Sequence, residues 1–318
     1  MTTNPDLYDD LLEAATRSES SLIAFLKKAF FLAVRRRSSG SPDDHPLLLL
    51  QAAKNLLSDV RDQAPRSLLI WIRDLVTRLP EDRRISWSAE TAEAATPAVL
   101  FLDELVTALH AGDAAAARRQ LQYWLAASAA PEALLDVLLQ ELAPGDLHWL
   151  EWVYAVHRSY HFVRDPAFLP LALEATLGRL QGPVNRIETG APVSHPRNWV
   201  DAMVAVGHPS VLRAWTTLWR IWDLDSPRQQ QIRRNLSGLL SGLPDRFPPR
   251  QLPTAPNGPW PDEAGWRQLL RETWTSCPAA EIPARIRELD TLRFLRNHLD
   301  QDKLPWLQSA FHHCLEFA

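Results

Sequence analysis

His157 and His161 stand four residues apart in the segment LHWLEWVYAVHRSYHFV, residues 147–163. In a helix that spacing puts both imidazoles on one face, one turn apart. Two rings so placed can share one ion, as in helical zinc and iron sites. Tyr154 lies one turn earlier on the same face. The pair reads HRSYH, without the Glu that a helical metalloprotease motif carries between its histidines, so it gives no hydrolytic mechanism. His148 lies nine residues before His157, roughly 13 Å along the axis, and points to the opposite side. One straight helix therefore cannot give all three rings to one ion. Either His148 joins histidines on other helices, or His157 and His161 take further ligands from His195, His208, Glu151 or Glu174.

Three histidines stand at expected helix starts: His45 in DDHPLLLLQAAKNLL, His148 in GDLHWLEWVYAVH and His208 in VGHPSVLRAWTTLWRIW. These helix starts either converge on one centre or reflect the tolerance of helix N-termini for His and Pro. Trp215, Trp219 and Trp222 form a stripe at i, i+4 and i+7, and Trp149 and Trp152 sit on the histidine helix. Such a stripe suits a core. It also suits the wall of a pocket for a flat aromatic molecule, with Trp152, Trp215 and Trp219 as its lining. His110, His298, His312 and His313 fall near expected helix ends and carry no assigned role. No Ser-His-Asp set or glycine-rich phosphate loop is visible.

The elements that must position these residues are helices. Glycine is scarce, at 11 residues, and no segment alternates apolar and polar over the length of a strand. The period predicts an all-α protein, an irregular multi-helix bundle of helical hairpins, with residues 113–142 as one hairpin. No period near 34 or 40 residues recurs, so it is not a regular solenoid. Asn4-Pro5, Thr96-Pro97, Ala130-Pro131, Asp165-Pro166, Ser226-Pro227 and Cys277-Pro278 each predict Pro in a first helical turn. Residues 80–94 read as a charged loop. Residues 182–198 read as a surface connection, with an active-site lid as the alternative. A main domain over 1–242, a Pro-rich connector over 243–261 and C-terminal helices over 262–318 packed on the main body complete the expectation.

Composition narrows the function classes. The chain is 46% hydrophobic and 23% charged with net charge −4, which fits a globular protein and argues against a dedicated nucleic-acid binder. Residues 22–34 are apolar but broken by Lys27-Lys28, which predicts a packed amphipathic helix rather than a membrane segment. Arg35-Arg36-Arg37 reads as a helix C-terminus. Cys277 and Cys314 make neither a disulfide framework nor a thiolate metal site, and the N-terminus lacks a signal-peptide core. A cytoplasmic location is expected.

His45-Pro46-Leu47, the segment around His148, and Gly207-His208-Pro209 resemble the histidine-led helices of the questin oxidase-like family, over residues 45–225. That resemblance implies an all-helical fold, non-haem iron and oxidative opening of aromatic polyketide rings. Where the family often carries a second His one turn later, this chain has Leu49, Trp152 and Leu212, so remaining ligands fall to His157, His161 or His195. The expected function is an iron-dependent oxidoreductase that acts with dioxygen on an aromatic small molecule. Its metal ligands are drawn from His45, His148, His208, His157 and His161, with Tyr154 or Glu151 moving protons. Two other readings stay open: a non-catalytic helical scaffold or partner-binding protein, and a metal-free enzyme or binder using His and Tyr as acid–base groups.

Overall fold

The computed structural model describes residues 5–38, 44–82, 85, 101–184, 193–246 and 261–311. Thr96-Pro97, most of the 80–94 loop, the middle of 182–198, nearly all of the Pro-rich connector, and His312, His313 and Cys314 lie outside the described residues. Among the described residues the chain is all-α, with fifteen α-helices and no strand. The first four are α1 (Pro5–Ala15), α2 (Glu19–Ala33), α3 (Pro46–Leu57) and α4 (Arg66–Arg78). Next come α5 (Leu102–Ala111), α6 (Ala114–Ala127), α7 (Ala133–Glu141), α8 (Leu147–Val163) and α9 (Phe168–Leu177). The last six are α10 (Val200–Val206), α11 (Pro209–Trp222), α12 (Gln229–Gly242), α13 (Glu263–Ser276), α14 (Ile282–His298) and α15 (Leu304–Ala310).

Helix starts follow side-chain chemistry. Ser18, Asp113, Asp146 and Asp262 each accept a hydrogen bond from a backbone N–H in the first turn of α2, α6, α8 and α13. Pro5 opens α1 as expected. Pro131, Pro166 and Pro227 instead stand in turns just ahead of α7, α9 and α12, and Pro278 precedes α14 by four residues. The reason is local. Leu134 N–H bonds to Pro131 O, Phe168 N–H to Asp165 O, Gln229 N–H to Ser226 O and Glu281 N–H to Pro278 O, all i to i+3 turns that precede regular helix.

The contacts divide the chain into two compact units, each assembled from separate stretches of the chain. One unit comprises Met1–Pro80, Trp199–Thr216 and Pro244–Ala318, and the other Glu81–Asn198 and Thr217–Leu243. In the first, α2 packs on α1, α3 and α4, and α14 lies along α3. Leu22, Phe25, Leu26, Ala29, Phe30 and Ala33 form the buried side of α2, the packed amphipathic helix expected for 22–34. Asp59 ties this unit together. Its carboxylate accepts from Trp266 Nε1 at 2.9 Å and from Arg293 Nε at 2.8 Å.

In the second unit α5 pairs with α6 and α7 pairs with α8, while α9 packs on α8 and α6, and α12 on α7. The expected hairpin over 113–142 is therefore corrected: its two helices pack chiefly against their outer neighbours. The two-residue connection Gly112-Asp113 sets this pairing. Gly112 has φ 70°, a left-handed conformation that ends α5, and Asp113 caps α6 immediately afterwards. The central part of α8 is buried, from Trp152 through His157. Arg118 on α6 pairs with the buried Glu174 on α9, its Nε lying 3.0 and 2.9 Å from the two carboxylate oxygens.

Two outcomes follow. A Cβ at Gly112 would lie 2.1 Å from the Gly182 carbonyl carbon. Gly112→Ala is expected to cost about 2–4 kcal/mol in urea unfolding, from left-handed strain plus overpacking. Burial, the larger effect, holds the Glu174 carboxyl above its ordinary 4.5 despite Arg118. A raised carboxylate contributes its full stability below 4.5 and loses it as pH rises through the folded value. Arg118→Ala removes the opposing pull, so its cost should be about 3 kcal/mol at pH 7.5 and clearly smaller at pH 4.5 by the same unfolding measurement.

Candidate functional site

The helix starts decide what three of the histidines can do. His45 is the N-cap of α3, and its Nδ1 accepts from Leu47 N–H at 3.1 Å. His208 stands ahead of α11, with Nδ1 accepting from Ser210 N–H at 3.2 Å. His195 precedes a 3₁₀ turn over Pro196–Trp199, with Nδ1 accepting from Arg197 N–H at 3.0 Å. Each is followed by Pro, which has no N–H, so the first helix-end donor to satisfy belongs to the residue two after the histidine.

A neutral imidazole has one donor and one acceptor nitrogen. With Nδ1 taken by the backbone, the proton belongs on Nε2, and neither nitrogen offers a lone pair to an ion. His195 fits this assignment, because its Nε2 lies 3.1 Å from Asp223 Oδ1. Trp219 and Trp222 meet its ring edge-on at 5.6 and 5.9 Å. The His-Pro pattern is thus a capping device that recurs three times. His45 and His208 belong to one compact unit and His148 to the other.

His148 is exposed and does not cap α8; Asp146 does, accepting from Trp149 N–H at 2.7 Å. His157 is buried at 5% exposure, whereas His148 and His161 reach solvent. The chain turns at both ends of α8, through Asp146 before it and through Arg164 (φ 52°) after it.

The spacing of His157 and His161 brings their rings together as expected. Their centroids are 4.4 Å apart with planes at 48°. His157 Nε2 lies 3.4 Å from Asp136 Oδ1, carried by α7, an ion-pair distance longer than an N–H···O hydrogen bond. Its Nδ1 is buried and, among the described residues, has no hydrogen-bond partner. His161 is held below the ordinary histidine range, chiefly by burial, then by His157, Arg158 and Arg164, with Asp136 acting against them. That direction favours the neutral ring, which retains a lone pair.

The remaining candidates divide. Tyr154 is buried and three residues before His157 on the same side of the helix. Glu151 is half-buried, and the helical phase turns it away from that side. Glu174 is held by Arg118 and His195 by Asp223. Trp152 is wholly buried, donating Nε1–H to Thr176 Oγ1 at 3.0 Å, with the Arg179 guanidinium 4.3 Å from its ring. Trp215 and Trp219 are buried as well.

Two open clefts lie elsewhere in the second unit. One, of about 430 Å³, runs between α5 and α6 past Asp103, Glu104 and Arg119. The other, of about 460 Å³, is lined by Gln140, Arg228 and Arg234 among others.

Two carboxylates matter that the sequence reading overlooked. Asp136 is the one charged residue in the run LLDVLL, which is the signal that could have marked it. Glu141 is buried, and its Oε2 lies 2.9 Å from His110 Nε2. Among the described residues, no group of three or more His, Cys, Asp or Glu is placed to hold a metal ion. His157 and His161 offer two nitrogen donors. No family model, curated protein or solved structure matches the chain.

The capping assignment has a direct check. His45→Ala should lower unfolding stability by about 1 kcal/mol, whereas His45→Asn, which keeps a side-chain acceptor at the N-cap, should cost only a fraction of that. Equal losses in the two variants would mean that the imidazole serves α3 in some other way.

Proposed function

We propose that this chain is a metal-dependent protein whose ion is held by His157 and His161. With the family resemblance, we read it as a cytoplasmic oxidoreductase of the non-haem iron type acting on an aromatic small molecule. One observation carries the reading: a buried imidazole with a carboxylate on Nε2, no partner on Nδ1 and a second imidazole 4.4 Å away. The sequence candidates differ in whether a nitrogen is left for an ion. His45 and His208 do not fit, because a metal bond at Nδ1 would cost each helix its cap. His157 fits, because its Nδ1 is a buried acceptor without a donor. His161 fits through its position one turn on.

Bound iron would supply activation of dioxygen at the positions that the protein leaves open. The chain's own residues do the rest. His157 sits against the apolar interior of α8 and excludes water from one side of the pair. His161, at the exposed end, leaves the other side accessible to a small molecule. Tyr154 stands one turn from His157 and is the hydroxyl best placed by helical phase to give or take a proton. The Arg158 and Arg164 charges oppose a cation near His161, so affinity rests on the imidazole lone pairs and the Asp136 charge. No helix among the described residues is long and apolar enough to cross a membrane.

Metal analysis after anaerobic loading with Fe²⁺ and removal of excess tests the reading. About one ion per chain is expected for a site with a single ligand pair. His157→Ala and His161→Ala should each lose it, and His45→Ala and His208→Ala should keep it. A wild-type protein that retains no metal, or retention in both the 157 and 161 variants, would overturn the proposal.

A further inference from the structure

We propose that Asp136 is the positioning residue of this centre: it selects Nδ1 of His157 as the metal-binding nitrogen, for a nitrogen-preferring divalent ion. The proposal rests on the reading of His157 and His161 as ligands. The chain itself supplies the comparison. At His45, His195 and His208, backbone N–H groups occupy Nδ1. His157 lies in the middle of α8, where backbone N–H groups are used within the helix, and its Nδ1 has no partner. On the opposite nitrogen stands a carboxylate, which can only accept when ionised. The Nε2 hydrogen therefore faces Asp136, and the Nδ1 lone pair is left for another atom.

The carboxylate charge beside Nε2 favours the hydrogen on that nitrogen, and loss of an outer carboxylate partner typically weakens metal binding by a histidine 10–100-fold. Asp136 is well fixed for the task. It projects from α7, which packs along α8, and its side chain is only 17% exposed. The His157 side chain is 7% exposed, so water competes little for its nitrogen. Two imidazole donors suit Fe²⁺, Co²⁺, Ni²⁺ or Zn²⁺ and not Mg²⁺ or Ca²⁺, which take oxygen ligands. The carboxylate also supplies the negative charge nearest to a site that Arg158 and Arg164 make positive.

The test uses the full chain and Co²⁺ as the probe, read by its visible absorption, with the His157 tautomer read by ¹⁵N-resolved NMR of the metal-free protein. Wild type should show the Nε2–H tautomer and bind Co²⁺. Asp136→Leu, which removes both the acceptor and the charge, should lose the fixed tautomer and weaken Co²⁺ binding 10–100-fold. Asp136→Glu, which keeps acceptor and charge, should hold the tautomer and the binding within a few-fold and so guards against a folding defect in the Leu variant. If Asp136→Leu binds Co²⁺ as wild type does, with the tautomer unchanged, the role of Asp136 is overturned while the metal reading stands. If wild type shows no Co²⁺ band, the metal reading itself falls, and Asp136 has no ion to position.

Discussion

A helix satisfies its own backbone everywhere except at its ends, and the capping hydrogen bond at those ends is the interaction on which this protein depends. Ser18, Asp113, Asp146 and Asp262 meet that need with oxygen acceptors. His45, His195 and His208 meet it with Nδ1. The oxygen caps retain spare lone pairs, but the imidazole caps do not. A neutral ring has one acceptor nitrogen, so a histidine that ends a helix is removed from ligand chemistry. The same Pro that favours the first helical position removes one N–H and hands the next one to the ring. The geometry that repeats through the sequence is thus explained without any shared centre.

Buried and half-buried carboxylates supply the second level of order. Asp59 gathers Trp266 and Arg293 within one unit. In the other, Glu174 takes Arg118, Glu141 meets His110, and Asp136 faces His157. Each joins residues on different elements, so each fixes how those elements pair. A buried ion pair adds little net stability, but an unpaired one costs several kcal/mol. Such groups therefore discriminate between helix pairings more than they strengthen the chosen one.

Fold class was legible because period and capping residues are local. The all-α architecture, the packed face of α2 and the starts at Asp113 and Asp146 follow from residues within one or two turns. Which helices pair was not legible. Asp113 and Pro131 both mark helix starts, yet the left-handed Gly112 makes α5, not α7, the chief partner of α6. Burial along α8 is confined to its middle, because an apolar composition does not reveal where neighbouring helices stop. The histidines were visible in sequence, but their roles depend on hydrogen bonds to atoms that the pattern leaves unspecified. His208 and His157 differ in whether a backbone N–H is within reach of Nδ1. Asp136 required the pairing of α7 with α8, which is a tertiary fact.

His157 is then a histidine whose presence needs a reason. It lies between Val156 and the buried Ser159 in the core of α8, where an apolar side chain would pack without polar cost. A buried nitrogen without a partner costs about 1–3 kcal/mol. The Asp136 contact does not offset this, since it serves the other nitrogen and requires a carboxylate to be partly withdrawn from water as well. An electron-pair acceptor at Nδ1 would remove that cost, and the proposed reading takes the second ring, 4.4 Å away between centroids, as its other ligand. A capping role leaves no such vacancy, as His45 shows: its buried ring serves the N–H that would otherwise be unmet. The difference between those two buried imidazoles, one serving the backbone and one left open beside a second ring, is the physical ground for placing the chemistry on α8.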